Sequence, residues 1–312
     1  MSDLPFSSKH REQALIELHS IADWMRWCTT QMQEAEVYFG HGTDNPWDEA
    51  VALVLQALAL PFDCPEMLYS TRITTTEKER ILSFLSQRIE SRKPLAYITN
   101  QAYFCGLPFY VDERVLVPRS PIGELIEDRF QNFINPNSVG SILDLCTGSG
   151  CIAIACAHYF ENAFVLGSDI SLDALDVAQL NLEQHGLDER VGFIESNLFE
   201  RIPSDQPFDI IVSNPPYVDA EDLADMPEEF HQEPEIGLGS GVDGLDLTHQ
   251  ILAQAASYLS EEGVLIVEVG NSWPALQQAY PELEFNWISF ERGGDGVFAL
   301  TRKQLEEYFS SH

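Results

Sequence analysis

Asn214-Pro215-Pro216-Tyr217 is the stretch of this chain best suited to chemistry. Proline lacks a backbone N–H and has a fixed φ. The residue before a proline is pushed to an extended conformation. Asn214 and Pro215 each precede a proline, so both are held extended. The Asn214 amide oxygen and the Pro215 carbonyl then form two acceptors on one rigid frame. Such a frame suits a single NH2 group held by both of its hydrogens. Tyr217 adds a flat wall against which a planar group can lie. The plainer alternative is a Pro-Pro turn that merely ends a strand. The stretch follows Phe208-Asp-Ile-Ile-Val-Ser213, an apolar run that predicts a buried strand. Open α/β sheets bind their ligands at such strand ends.

A second constellation, Asp144-Leu-Cys146-Thr147-Gly148-Ser-Gly150-Cys151, joins a predicted strand to a predicted helix. Glycines there let the backbone approach a ligand closely. Asp169 ends the next strand, where a carboxylate can accept from two ribose hydroxyls. Gly148-x-Gly150-x-x-Ala153 with Asp169 nineteen residues beyond Gly150 also fits a dinucleotide fingerprint, which would imply NAD. Asp144 opposes that reading, because a carboxylate facing the loop repels a pyrophosphate and suits a cationic sulfonium and its ammonium group. Hydride transfer also has no use for Asn-Pro-Pro-Tyr. The pair of motifs therefore points to S-adenosylmethionine, with Cys146, Thr147, Gly148 and Gly150 in the loop that receives it. Asn197 and Leu198 end the third strand and are placed to border the adenine, Asn197 by hydrogen bonding and Leu198 by packing. Asn214 adjoins the same crevice.

The elements that must position these residues can be read from periodicity. Residues 10–93 read as helical, with Asn45 as an N-cap, Pro46 at the first helical position, and Asp48 and Glu49 in the first turn. Thr76 and Glu79 form a capping-box pattern for a later helix that Pro94 stops. The aromatic residues Trp24, Trp27, Tyr38, Phe39 and Trp47 read as core. Ala96–Phe104 and Leu107–Val111 predict a hairpin, and Val115–Pro121 an extended loop before a helix over Ile122–Phe133. From residue 141 strands alternate with helices, which argues for a parallel, doubly wound sheet. The strands are predicted at 141–146, 164–170, 191–195, 209–213, 264–269, 285–290 and 297–301, the last two as an antiparallel hairpin. Helices are predicted over 151–160, 172–185 and 247–259, with Ser171 as a cap and Gly186 as a stop. The expected domains are a helical one over 1–93, a hairpin linker over 94–120 and the α/β domain over 121–312.

Composition narrows the partners. The 312 residues carry 50 Asp+Glu against 17 Lys+Arg, a formal net charge of -33. That argues against direct nucleic-acid binding, which needs clustered Lys and Arg. The densest basic stretch, Arg88 to Lys93, reads as a helix end whose cations suit the dipole. Six cysteines without a CxxC pair read as small buried hydrophobes of a cytoplasmic protein. His231-Gln-Glu-Pro-Glu235 lacks partners at ligand spacing, so no metal is expected. Neither a membrane span nor a signal pattern is visible.

With both motifs in view, the chain resembles the HemK-like protein-glutamine methyltransferases over nearly its whole length. Within that family, three segments resemble the branch acting on large-subunit ribosomal protein three: Tyr38–Ala50, Phe109–Glu124 and Asp144–Ala155. The resemblance implies a seven-stranded, Rossmann-like methyltransferase sheet with an N-terminal helical domain that selects a protein substrate. It implies methyl transfer from S-adenosylmethionine to a glutamine side-chain amide of a basic ribosomal protein. Asn214, Pro215 and Tyr217 would be catalytic, and Asn214 to Tyr217 with Arg119 would meet the substrate. The branch that methylates release factors is the alternative, and adenine amino methyltransferases of nucleic acid a more distant one. The family usually has Ser-Asp where this chain has Ser196-Asn197, which removes a charge but keeps an acceptor.

Overall fold

A computed structural model describes residues 6–311, which fall into two compact units. The first comprises residues 6–101 together with Pro227–Gln232, and the second Ala102–Met226 with residues 233–311. No described helix is long and apolar enough to cross a membrane.

The first unit is built on α1 (Ser8–Glu17), α2 (Ile21–Glu34), α3 (Pro46–Ala57), α4 (Thr75–Glu90) and α5 (Leu95–Thr99). Asn45 caps α3 through its side chain, with Pro46 at the first position, as the local sequence predicts. The capping box of α4 is Thr74 with Glu77, two residues before the predicted pair. In the run Thr74-Thr75-Thr76 the first takes the cap, its hydroxyl accepting from the Glu77 N–H at 3.3 Å. The segment 96–99, expected as strand, is the helix α5, which follows Pro94 and ends at Asn100 in the left-handed region (φ 51°). Its β-branched and aromatic residues favour a strand, but burial of Leu95, Ala96 and Tyr97 overrides that preference. Trp24 is fully buried among Met25, Cys28, Met32 and Leu53, with Trp27 and Phe39 packed at the edge. Tyr38 and Trp47 are instead exposed.

Arg88 lies in the last turn of α4, as the sequence predicts, but it is 0% exposed. Its guanidinium pairs with Glu49, donates to the Tyr38 carbonyl at 2.6 Å and reaches Glu229 at 3.5 Å. Glu229 also accepts from the Tyr38 N–H at 2.9 Å and from Arg92 at 3.5 Å. The segment Pro227–Gln232 thus belongs to the helical unit through one buried carboxylate. Removing Arg88 leaves the buried Glu49 without the cation it pairs with. Arg88→Leu should therefore destabilise the protein by about 3–5 kcal/mol, seen as a lower urea midpoint.

The second unit opens with a hairpin of β1 (Ala102–Phe104) and β2 (Leu107–Phe109), followed by α6 (Ile122–Glu127). The predicted helix over 122–133 stops early because Arg129 and Phe130 take positive φ values of 53° and 49°. The sheet follows: β3 (Ser141–Leu145), α7 (Cys151–Tyr159), β4 (Phe164–Asp169), α8 (Leu172–His185), β5 (Val191–Glu195) and β6 (Phe208–Ser213). Then come α9 (Ala220–Asp225), α10 (Asp246–Gln254), β7 (Leu259–Glu268), α11 (Trp273–Ala279), β8 (Asn286–Trp287), β9 (Val297–Thr301) and α12 (Arg302–Ser311). The strand order is β5-β4-β3-β6-β7-β9-β8. Only β9 runs against its neighbours, and its pairing with β8 is the expected antiparallel hairpin, with β8 shorter than predicted. This is the seven-stranded, Rossmann-like α/β fold. Ser171 caps α8, and Gly186 ends it at φ 63°. Both sheet faces are buried: Ile142, Ile210 and Val212 pack with α7, while Leu143, Leu145 and Ile211 pack with Leu252 and Leu276. The chain runs β3-β4-β5 outward in one direction and returns to β6 on the other side of β3. The β3/β6 boundary is therefore the topological switch point, where such sheets bind ligands.

Candidate active site

Parallel register brings the strand ends to one edge. Leu145 lies opposite Ser168 and Ser213, Ser213 opposite Val267, and Asp169 opposite Glu195. Ser213 donates its hydroxyl to the Leu145 carbonyl at 2.8 Å, tying β6 to β3 just before Asn214. A separate cleft of about 320 Å³, bordered by Ser141, Phe164, Val191 and Phe208, lies at the opposite, amino-terminal edge. Ligands of open α/β sheets sit at the carboxyl edge, so that cleft is not the candidate site.

The loop from β3 to α7 turns on three residues of positive φ: Cys146 at 58°, Gly148 at 54° and Gly150 at 77°. A Cβ on Gly150 would come within 2.8 Å of the Phe193 ring, whereas one on Gly148 would meet nothing within 4 Å. Gly148 therefore faces open space in which a ligand can approach the backbone. Asp144 is completely buried, with one oxygen accepting from the Thr147 hydroxyl at 2.5 Å and from the Ala153 N–H at 3.0 Å. Its other oxygen, Oδ1, is buried with no hydrogen-bond partner. Burial pushes the Asp144 carboxyl up to about 7, although the bonds from Thr147 and Ala153 oppose the shift. Thr147 is thus turned inward to hold Asp144. Asp169 accepts from the N–H groups of Gly148 and Ser171, both at 2.9 Å, and so fixes the loop to β4. Burial raises its carboxyl as well. An orphaned buried carboxylate oxygen at the base of a loop that also carries an open glycine is what a cationic amine or sulfonium would satisfy. The residues fit S-adenosylmethionine on that ground.

At the end of β5, Asn197 is half-buried and donates to Glu200 at 3.0 Å. Leu198 is 5% exposed, has a φ of 48° and packs with Phe199 and Ile202 in the core. Its side chain serves the core of this unit.

In the Asn-Pro-Pro-Tyr segment, Pro215 and Pro216 are buried and Asn214 is half-buried. The Asn214 side-chain oxygen is itself buried with no hydrogen-bond partner. Leaving a buried acceptor unpaired costs about 1–3 kcal/mol, so the arrangement sits off the stability optimum. Tyr217 is held at three points. Its hydroxyl donates to Glu268 at 2.8 Å, its carbonyl accepts from Ser272 at 3.0 Å, and its ring lies against Gly270. A Cβ on Gly270 would come within 2.5 Å of that ring. Arg119 is not a free cation for a substrate. It forms a two-pronged pair with Glu233, at 2.6 and 2.8 Å, and Glu233 also accepts from the Val117 N–H at 2.9 Å. Glu233, one of the acidic residues beside His231, thus orders the loop before α6. Among the described residues no group of side chains could hold a metal ion.

Sequence reasoning missed Ser120, Glu233 and Glu268. A signal for Glu268 was present: it is the one carboxylate inside Val264-Leu-Ile-Val-Glu268-Val269. A carboxylate in an apolar strand rarely goes unpaired.

Residues 129–283 match the methyltransferase small domain family. The ribosomal protein uL3 glutamine methyltransferase of Francisella tularensis is 49% identical over 304 residues, covering 97% of this chain and 96% of that protein. Its namesake from Neisseria gonorrhoeae is 49% identical over 295 residues, covering 94% and 98%.

Proposed function

Since the chain belongs to the ribosomal protein uL3 glutamine methyltransferase family, we propose that it methylates the side-chain amide nitrogen of a glutamine in uL3. S-adenosylmethionine supplies the methyl group as a sulfonium. The observation that carries the reading is the buried, unpartnered Asn214 oxygen, on a proline-stiffened segment at the switch point.

An amide nitrogen is a poor nucleophile because its lone pair is delocalised into the carbonyl. Two acceptors, the Asn214 side chain and the Pro215 carbonyl, hold the two NH2 hydrogens. They aim the nitrogen at the methyl group and favour its passage toward tetrahedral geometry. Positioning supplies much of the acceleration. The same oxygens stabilise the positive charge that grows on nitrogen, and they do so more strongly in a site closed to water. The Tyr217 ring forms the wall against which the planar amide lies. Asp144 holds the cationic end of the donor, and Asp169 with Gly148 holds its ribose side. Transfer would form the N–C bond as the S–C bond breaks and release S-adenosylhomocysteine, after which the methylated nitrogen would lose one of its two hydrogens to solvent as a proton, so no general base is called for before methyl transfer.

The substrate protein is read as basic, which suits a chain of net charge -33. The cytoplasm is the setting such a substrate implies. The helical unit is read as the part that selects it. The test is transfer of labelled methyl from S-adenosylmethionine to uL3, to release factors and to nucleic acid, each offered separately. Label in uL3 is expected. Label confined to release factors moves the enzyme to the neighbouring branch, and label confined to nucleic acid overturns an amide acceptor.

A further inference from the structure

Glu268 ends β7 and is 4% exposed. Its Oε1 accepts from the Tyr217 hydroxyl at 2.8 Å, and its Oε2 accepts from the Ser120 hydroxyl. Ser120 in turn accepts from the Ile122 N–H at 3.2 Å. One carboxylate therefore fastens two pieces of backbone that chain order keeps far apart. One is the aromatic wall of the Asn-Pro-Pro-Tyr segment, and the other is the Pro118–Pro121 loop that carries Arg119. Two hydroxyl donors need two acceptors at once. An ionised carboxylate provides both, whereas a neutral acid or an amide offers one acceptor and one donor. Burial raises the Glu268 carboxyl, so its charge is held here at a cost to stability.

We propose that Glu268 is a positioning residue for methyl transfer, holding Tyr217 and the Ser120 loop as two walls of the acceptor site. The assignment rests on the glutamine-methylation reading. It does not place Glu268 on the substrate. Its effect passes through the ring of Tyr217 and the backbone at Ser120.

The test compares Glu268→Gln and Glu268→Ala with wild type in full-length protein. Affinity for S-adenosylmethionine, kcat and KM with uL3, and the unfolding midpoint at pH 8 are measured together. Glu268→Gln keeps one acceptor and loses the buried charge. It should stay folded at the assay temperature and bind the cofactor as tightly, yet have a kcat about tenfold lower. Glu268→Ala should lose about a hundredfold in kcat. Adding Tyr217→Phe to Glu268→Ala should cost little more, because the hydroxyl has already lost its acceptor. A residue that served only the fold would lower stability, cofactor affinity and kcat together, and the amide would not part-rescue the alanine variant. Wild-type kcat in Glu268→Gln overturns the positioning role alone. Failure of the wild-type enzyme to label uL3 overturns the functional reading instead, so the two failures are distinct.

Discussion

Asn214→Ala should lower kcat for uL3 methylation by on the order of 10²–10³-fold while leaving the affinity for S-adenosylmethionine within a few-fold. The magnitude is that of removing one preorganised group aimed at charge developing in a transition state. The oxygen removed is buried and has no hydrogen-bond partner in the protein. The alanine variant should therefore unfold at the wild-type temperature or slightly above, since an unpaired buried acceptor is relieved. That combination separates a catalytic role from a structural one. Single-turnover methylation, calorimetric titration with the cofactor and thermal unfolding give the three readouts. Wild-type turnover in Asn214→Ala would end the amide-cradle mechanism. Loss of cofactor binding in parallel with turnover would assign Asn214 to the donor instead.

Asp144→Asn should act in the opposite place, weakening S-adenosylmethionine binding by on the order of 10²-fold. The carboxylate is fully buried, and its Oδ1 is the atom left for a cationic donor. Asparagine keeps an acceptor for Thr147 and Ala153, so the loop survives while the charge is lost. Its pH signature follows from the raised carboxyl. Below about pH 4 the group is neutral both folded and unfolded, starting from its ordinary 3.8. Between there and about 7 the unfolded chain gives up the proton while the folded protein keeps it, so stability falls as pH rises. Above that range the full penalty is present, on the order of 4 kcal/mol in the ligand-free protein. Asp144→Asn should match wild-type stability near pH 4 and exceed it at pH 8. Unfolding midpoints across that range check this. A variant no more stable at pH 8 than at pH 4, relative to wild type, would show that the buried carboxyl carries no such cost.

Much of the candidate site's local geometry was legible because it depends on near neighbours. Asn214, Pro215, Pro216 and Tyr217 are consecutive, and proline sterics act between neighbours. Asp144 through Gly150 likewise form one turn whose glycines and carboxylate lie within seven residues. The caps at Asn45, Ser171 and Gly186 depend on bonds that span a few residues. Residues 96–99 of helix α5 were read as strand because local preference and tertiary burial disagree there.

The chain order therefore carries the alternation of strand and helix, the rigid Asn-Pro-Pro-Tyr segment and the carboxylate-glycine loop. Each follows from steric and hydrogen-bonding constraints among near neighbours. Partnerships across long separations needed the fold. Ser120 meets Glu268 across 148 positions, Arg119 meets Glu233 across 114, and Arg88 meets Glu229 across 141. No periodicity encodes such pairs, because any carboxylate in the chain can satisfy a given arginine or hydroxyl until packing excludes the rest. For the same reason the partner of Arg119 could not be read from the sequence. Tertiary structure also decided that the Asn214 oxygen and Asp144 Oδ1 are buried and unpaired. A sequence can name an acceptor, but only packing removes it from water and leaves it without a donor.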